Sequence, residues 1–148
     1  MIYLASDHGG FKLKEVIEKH LRDKGGDVID LGPNKLDPTD DFPDFVIPLA
    51  HKVAENPENL GIVLCRNGVG VEVAANKVDG IRAALSWDPK HAASTRADDN
   101  SNVLALPADY LDEKKALDVL EAWLSTTYAG EERFDRRLDK IKKEEEHG

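Results

Sequence analysis

Strand-like and helix-like stretches alternate along this chain from its first residue. That alternation predicts a doubly wound α/β fold with a five-stranded parallel sheet, helices on both faces and an extra C-terminal helix. Three observations carry the prediction. The two kinds of stretch succeed one another five times with no internal repeat and no Ser/Gly linker. The run Gly61 to Cys65 is apolar almost throughout (Ile62, Val63, Leu64), as befits a strand covered on both faces. The first and third apolar runs stop at glycine-bearing turns, Ser6 to Gly10 and Cys65 to Gly70. At 148 residues the chain fits one domain, residues 1–148, large enough to bury a real core.

The elements follow in order. Ile2 to Ala5 is a short apolar strand. Leu13, Val16, Ile17 and Leu21 then recur at helical spacing, and Gly25-Gly26 stops that helix. Asp27 to Leu31 reads as the second strand, followed by a long loop, rich in proline and aspartate, from Gly32 to Pro43. A helix is expected from about Phe45 to Glu55, with its first turns disturbed by Pro48. Gly61 to Cys65 is the third strand, and Gly68-Val69-Gly70 leads into a short helix ending near Lys77. Ile81 to Leu85 is the fourth strand. Asp88-Pro89 starts a helix, with Asp as N-cap and Pro at the first helical position, and that helix ends near Asp98 or Asp99. Val103 to Leu106 is the fifth strand. Ala116, Val119, Leu120, Trp123 and Leu124 mark an amphipathic helix. A final helix carries Phe134, Leu138 and Ile141 and gives way to a charged tail expected to fray, residues 142–148. This helix is surplus to the five-strand wrap; its apolar face is expected to pack on another subunit, so the chain is expected to form a dimer at least.

Composition narrows the function. The net charge is -9, with 33% charged and 41% hydrophobic residues. An acidic balance argues against broad nucleic-acid binding, which needs a basic surface. No stretch approaches the roughly 20 apolar residues of a membrane span, and the N-terminus lacks the pattern of a secretory signal. The single cysteine, Cys65, excludes an internal disulfide framework and a cysteine-rich zinc site, and points to a reducing, cytoplasmic setting. The histidines have no spacing resembling a metal site, so no metal is expected.

In a doubly wound sheet, ligands bind outside the carboxyl ends of the strands where the strand order reverses. Four segments should sit there: Ser6 to Gly10, the Gly32 to Pro43 loop, Cys65 to Gly70, and Ser86 to Asp88. Cys65 ends an apolar strand just before a turn (Arg66, Asn67, Gly68, Val69, Gly70) whose backbone N–H groups would converge at a helix start. A thiol there is placed to act as base or nucleophile; the alternative is a buried, inert cysteine. Gly68 and Gly70 do not complete a dinucleotide fingerprint, since Val73 stands where a third glycine belongs. Arg133 and Arg137 project from one helix face and form a possible phosphate fork; from spacing alone a solvated face paired with Glu131, Glu132 or Asp135 is favoured. Asp7 and His8 lie at the end of the first strand, where such a pair can orient sugar hydroxyls or a phosphate. The adjacent carboxylates Asp40-Asp41 and Asp98-Asp99 are mostly turn or cap material, though one of a pair can serve as acid or base.

Six segments together resemble the ribose-5-phosphate isomerase B family, which also holds the galactose-6-phosphate isomerase subunits. They are Ser-Asp-His-Gly-Gly-Phe (6–11), Asp-Phe-Pro-Asp (41–44), Gly-Ile-Val-Leu-Cys-Arg-Asn-Gly-Val-Gly (61–70), Ala-Ala-Asn-Lys (74–77), Gly-Ile-Arg-Ala (80–83) and Asn-Val-Leu-Ala-Leu (102–106). The resemblance runs in order over essentially the whole chain. It implies a Rossmann-like three-layer α/β/α sandwich that dimerises, or forms a dimer of dimers, with active sites built from both subunits and no cofactor. It implies aldose–ketose isomerisation of a sugar phosphate through an enediolate. On this resemblance Cys65 matches the base moving a proton between C1 and C2, and the turn from Arg66 to Gly70 matches the hole for the enediolate oxygen. Asp7 and His8 match a substrate-contacting pair, Asn102 follows the family pattern, and Arg133 and Arg137 match phosphate-binding arginines.

The chain departs from that pattern where Arg66 and Asn67 replace Gly and Thr/Ser. Asp98 stands where the family often has a ring-opening His, with Asp99 and Asn100 beside it as expected substrate contacts. Asp109 replaces a phosphate-contacting Arg, and Phe42 a Tyr. The leading expectation is an active isomerase with a shifted substrate, in which Arg66 supplies the charge lost at Asp109 and Asp98 either stands in for the His or leaves ring opening to solution. A non-catalytic sugar-phosphate sensor or partner subunit is the alternative of a different class, and a nucleotide or flavin module is disfavoured by the missing fingerprint. A pure binder has no need of a thiol at the Cys65 turn.

Overall fold

The computed structural model describes residues 1–147. Its single sheet is parallel throughout and ordered β2-β1-β3-β5-β4. The strands are β1 (Ile2–Ser6), β2 (Val28–Asp30), β3 (Leu60–Cys65), β4 (Ala83–Leu85) and β5 (Val103–Pro107). The helices are α1 (Phe11–Asp23), α2 (Pro43–Ala54), α3 (Val69–Ala75), α4 (Pro89–Asp99), α5 (Glu113–Leu124) and α6 (Glu132–Glu145), with a short 3₁₀ turn at Ala108–Tyr110.

Successive strand residues point to opposite faces, and each face has its own core. Leu4, Ile62, Leu64, Leu104 and Leu106 pack with α1, α4 and α5 around the fully buried Trp123. Ala5, Val63, Cys65, Val103 and Ala105 pack with α2 and α3. The helices therefore form two layers around the sheet. The crossover direction changes at β1/β3, so a crevice opens between the carboxyl ends of these two strands. Small residues make that edge compact: a Cβ on Gly10 would lie 2.6 Å from the Leu64 Cβ, so α1 can start only by lying directly on β3.

The structure corrects several expected boundaries. Helix α2 begins at Pro43, not Phe45, because Pro43 takes the first helical position, where its missing N–H costs nothing. Pro48 then sits inside an unbroken helix. Strand β4 is shorter than expected, since the Ile81 N–H turns back to the Val78 carbonyl and the Arg82 N–H to the Asn102 side chain. The charged tail does not begin at Lys142: α6 continues to Glu145, whose carboxylate accepts from the Gly80 N–H at 3.1 Å. Gly148, the last residue of the expected tail, lies outside the described residues.

Lys14 is only 1% exposed and is paired with Asp30, while its ammonium also donates to the Pro33 carbonyl at 3.0 Å. This buried cation ties α1 to the end of β2 and to the start of the loop after it. Removing one partner of such a pair leaves an uncompensated charge. Asp30→Ala is expected to cost about 3–5 kcal/mol, read as a lowered urea midpoint; a change below about 0.5 kcal/mol would show that the pair carries no stability.

Candidate functional site

The carboxyl ends of β1 and β3 bring two sequence-predicted segments side by side. The Asp7 N–H donates to the Leu64 carbonyl at 3.3 Å, and the Arg66 side chain packs so tightly on Gly9 that a Cβ there would meet its Cγ at 2.5 Å. Asp7 is buried, and one carboxylate oxygen accepts from the N–H groups of Gly9 at 2.8 Å and Gly10 at 3.2 Å. Asp7 thus shapes the turn that presents His8.

Cys65 ends the central strand, is 5% exposed, and lies with its Sγ 3.7 Å from Asn67 Oδ1. That oxygen also accepts the Val69 N–H at 3.0 Å. The resemblance places Asn67 in the turn that matches the enediolate hole; in this geometry its side-chain carbonyl oxygen accepts from the thiol and caps the turn. Gly68 adopts φ 75°, and a Cβ there would stand 3.0 Å from the Pro107 nitrogen, so only glycine fits without strain. Among the described residues, the N–H groups of Asn67 and Gly68 meet no protein acceptor. Helix α3 has only seven residues, so its dipole adds little beyond these local donors. Phe42 packs on Gly70, 2.7 Å from where a Cβ would be, and brings the loop after β2 over the turn.

Arg66 is exposed and faces Asp109 at 3.6 Å. Two departures from the family pattern are therefore neighbours in space: the added cation stands beside the position where an Arg is missing.

The remaining predicted residues are not beside Cys65 in the same chain. Helix α4 begins after the carboxyl end of β4 and returns the chain to the start of β5, so its last residues lie at the amino edge of the sheet. Asp98 and Asp99 are exposed there, and Asn100, at φ 50°, ends the helix and accepts from Arg82 Nε at 2.6 Å. Asn102 fastens the same edge, accepting from the Arg82 N–H at 2.7 Å and donating to the Gly80 carbonyl at 3.0 Å. Helix α6 packs against this edge too, over a cavity of about 480 Å³ lined by Arg82, Asn100, Tyr128, Leu138 and Ile141. Arg133 and Arg137 are exposed on α6; Arg133 pairs with Glu131 at 3.0 Å and stacks on Phe134. A six-residue strand such as β3 separates the two edges by about 20 Å. His8 and Arg66 are thus separated from Arg133 and Arg137 within one chain.

One partner had only a weak trace in the sequence. Asp40 Oδ1 accepts both the backbone N–H of His8 at 2.9 Å and its ring Nδ1 at 2.8 Å. The adjacent carboxylates Asp40-Asp41 read as turn residues; nothing local links them to a histidine 32 positions away. Nearby, the backbone N–H and hydroxyl of Thr39 hold the Asp37 carboxyl below its ordinary range, with a smaller contribution from His8. Among the described residues, no three His, Cys, Asp or Glu side chains gather as a metal site would, and no helix is long and apolar enough to cross a membrane.

Comparison with known proteins shows the family and the fold. The family profile described as Ribose/Galactose Isomerase matches residues 2–141. A Mycoplasma genitalium protein named probable ribose-5-phosphate isomerase B is 45% identical over 141 residues, spanning 95% of this chain and 92% of that protein. Ribose-5-phosphate isomerase B of Mycobacterium tuberculosis H37Rv is 37% identical over 93% of this chain and 85% of its own length. Among solved structures, M. genitalium ribose-5-phosphate isomerase B with bound ribulose-5-phosphate superposes at TM-score 0.95 and 43% identity, covering 99% of this chain and 97% of that one. The Clostridium thermocellum enzyme of the same name matches at TM-score 0.92 and 37% identity, over 99% and 97% of the two chains.

Proposed function

The chain belongs to the ribose/galactose isomerase family and is a sugar-phosphate isomerase; from that premise we propose that it interconverts ribose 5-phosphate and ribulose 5-phosphate, without a cofactor, through an enediolate. The observation that carries the mechanism is Cys65 at the end of the central strand, its Sγ 3.7 Å from Asn67 Oδ1 and beside unpartnered N–H donors. The thiolate takes the proton from C2 of the open-chain aldose, the C2–H electron pair forms the C1–C2 double bond, and the carbonyl pair moves onto O1. The turn's N–H groups receive that developing charge, where preorganised donors are most effective. The O2 proton passes to O1, C2 becomes the carbonyl carbon, and the Cys65 thiol returns its proton to C1.

The phosphate grip favours a second copy of the chain. Arg133 and Arg137 sit at the wrong edge to reach a sugar on their own Cys65, while Val69 and Val73 on α3, the helix that follows the Cys65 turn, and Trp87, just past the carboxyl end of β4, are exposed. Apolar side chains around an open site suit a covering subunit. In a two-fold pair each chain would supply Cys65, His8 and Arg66 to one site and Arg133, Arg137 and the Asp98–Asn100 segment to the other. A working free thiol also favours a reducing compartment, the cytoplasm.

The test is a panel of five- and six-carbon aldose phosphates followed by C2 hydrogen exchange. Exchange and ketose formation are expected; a chain that binds these sugars and never exchanges C2 hydrogen is a sensor or partner subunit instead. Arg66 has its own test. Arg66→Gly is expected to weaken sugar-phosphate binding about tenfold, the scale of one hydrogen bond to a charged group. Asp109→Asn, which frees Arg66 from its pair, is expected to tighten it a few-fold. Unchanged dissociation constants in both variants would remove Arg66 from the phosphate grip.

A further inference from the structure

The geometry points to His8, held by Asp40, as the acid–base group that opens the furanose ring of the sugar phosphate before Cys65 acts, with Asp40 as its positioning residue. The inference rests on the isomerase reading above and deepens it.

Enediolate chemistry needs an open-chain aldehyde, whereas a five-carbon aldose 5-phosphate is closed as a furanose. The Asp98 segment, where the family resemblance looks for the ring opener, offers an exposed carboxylate that meets no partner among the described residues. His8 differs on every point. It follows β1 beside the Cys65 turn, and its side chain is 26% exposed. Its Nδ1 lies 2.8 Å from Asp40 Oδ1 and its own backbone N–H donates to the same oxygen at 2.9 Å, so ring and backbone are fixed by one carboxylate. An ionised carboxylate only accepts; the ring proton therefore sits on Nδ1, and Nε2 is left as a base. The second Asp40 oxygen is buried with no hydrogen-bond partner among the described residues. A turn residue needing only solvent would not be buried in this way. Asp40 instead fixes the imidazole through Nδ1 and leaves Nε2 without a partner among the described residues.

The step balances without a further reactant. Nε2 takes the proton from the anomeric O1–H, the O1 lone pair forms the C1 carbonyl, and the C1–O4 bond breaks. The bond's electron pair goes to O4, which receives the proton back from the imidazolium. Both oxygens are bonded to C1, so one nitrogen reaches them in turn.

Ribulose 5-phosphate allows a clean test, because its esterified O5 leaves it no furanose to form. Turnover of ribose 5-phosphate is compared with exchange of the C1 hydrogen of ribulose 5-phosphate into deuterated solvent. In His8→Gln the ratio of turnover to exchange is expected to fall about 10²-fold, the lower scale of general acid–base catalysis. In Asp40→Asn it should fall about tenfold, a split that mere loss of fold would not produce. An unchanged ratio in either variant overturns the proposal. The wild type supplies a measurement independent of variant folding. Its rate on ribose 5-phosphate should keep rising with enzyme concentration beyond the uncatalysed ring-opening flux. A plateau at that flux, with C1 exchange intact, overturns the ring-opening role alone; no C1 exchange in the wild type overturns the isomerase reading.

Discussion

Cys65→Ala lowers kcat for ribose 5-phosphate by about 10³-fold, within the range lost with a general base, and leaves the fold intact. That is the largest effect expected of a single substitution here. The side chain lost is small and lies at the edge of one core layer, so the thermal midpoint should move by only a few degrees. Its chemistry has no stand-in: among the described residues the thiol's one neighbour within hydrogen-bond distance is the Asn67 amide, which takes no proton at neutral pH. Cys65→Ser restores the shape and the contact to Asn67 but offers a hydroxyl far too weakly acidic to serve, so it should be nearly as inactive. The paired measurement is C2 hydrogen exchange together with thermal unfolding. Exchange within tenfold of wild type in a folded Cys65→Ala would assign the base elsewhere and return Cys65 to the inert core.

Mixing two inactive variants restores about a quarter of wild-type activity, if the site is shared between two copies. The variants are Cys65→Ala and the double substitution Arg133→Ala, Arg137→Ala. In a mixed pair, one site collects both defects and the other collects none. Random exchange of subunits makes half of the pairs mixed, and half of their sites intact. A site confined to one chain gives no recovery at any mixing ratio, because neither variant then holds a complete set. The structure motivates the experiment through placement: the arginines lie on α6 against the amino edge of the sheet, and Cys65 lies at the carboxyl edge.

The candidate site was legible to different degrees. Cys65 stood out because a lone thiol between an apolar strand and Asn-Gly-Val-Gly is a local pattern, and local patterns survive without coordinates. The segment 6–11 was equally visible, and Asp7 behaves as a turn-maker, as its short spacing to Gly9 and Gly10 allows. Arg133 posed the opposite problem. Spacing favoured a solvated pair with Glu131, which the structure shows at 3.0 Å, whereas the family resemblance favoured a phosphate clamp. Both hold if the arginine leaves that exposed pair for a ligand on a second chain, since such surface pairs are worth little.

The sequence by itself determined the order of elements, the parallel sheet and which segments stand at the carboxyl ends of its strands. These follow from interactions between residues close along the chain: alternation in strands, helical periodicity, glycine where a turn needs it and proline where a helix begins. It did not determine which distant residues share a contact. That His8 meets Asp40, that Arg66 faces Asp109, and that Asp98 and Arg137 lie away from Cys65 were decided by how strands and helices stack. The physical reason is that a single ion pair or hydrogen bond contributes too little to direct the chain. The apolar packing of two core layers sets the fold, and the polar groups then meet whatever neighbours that packing brings to each edge of the sheet.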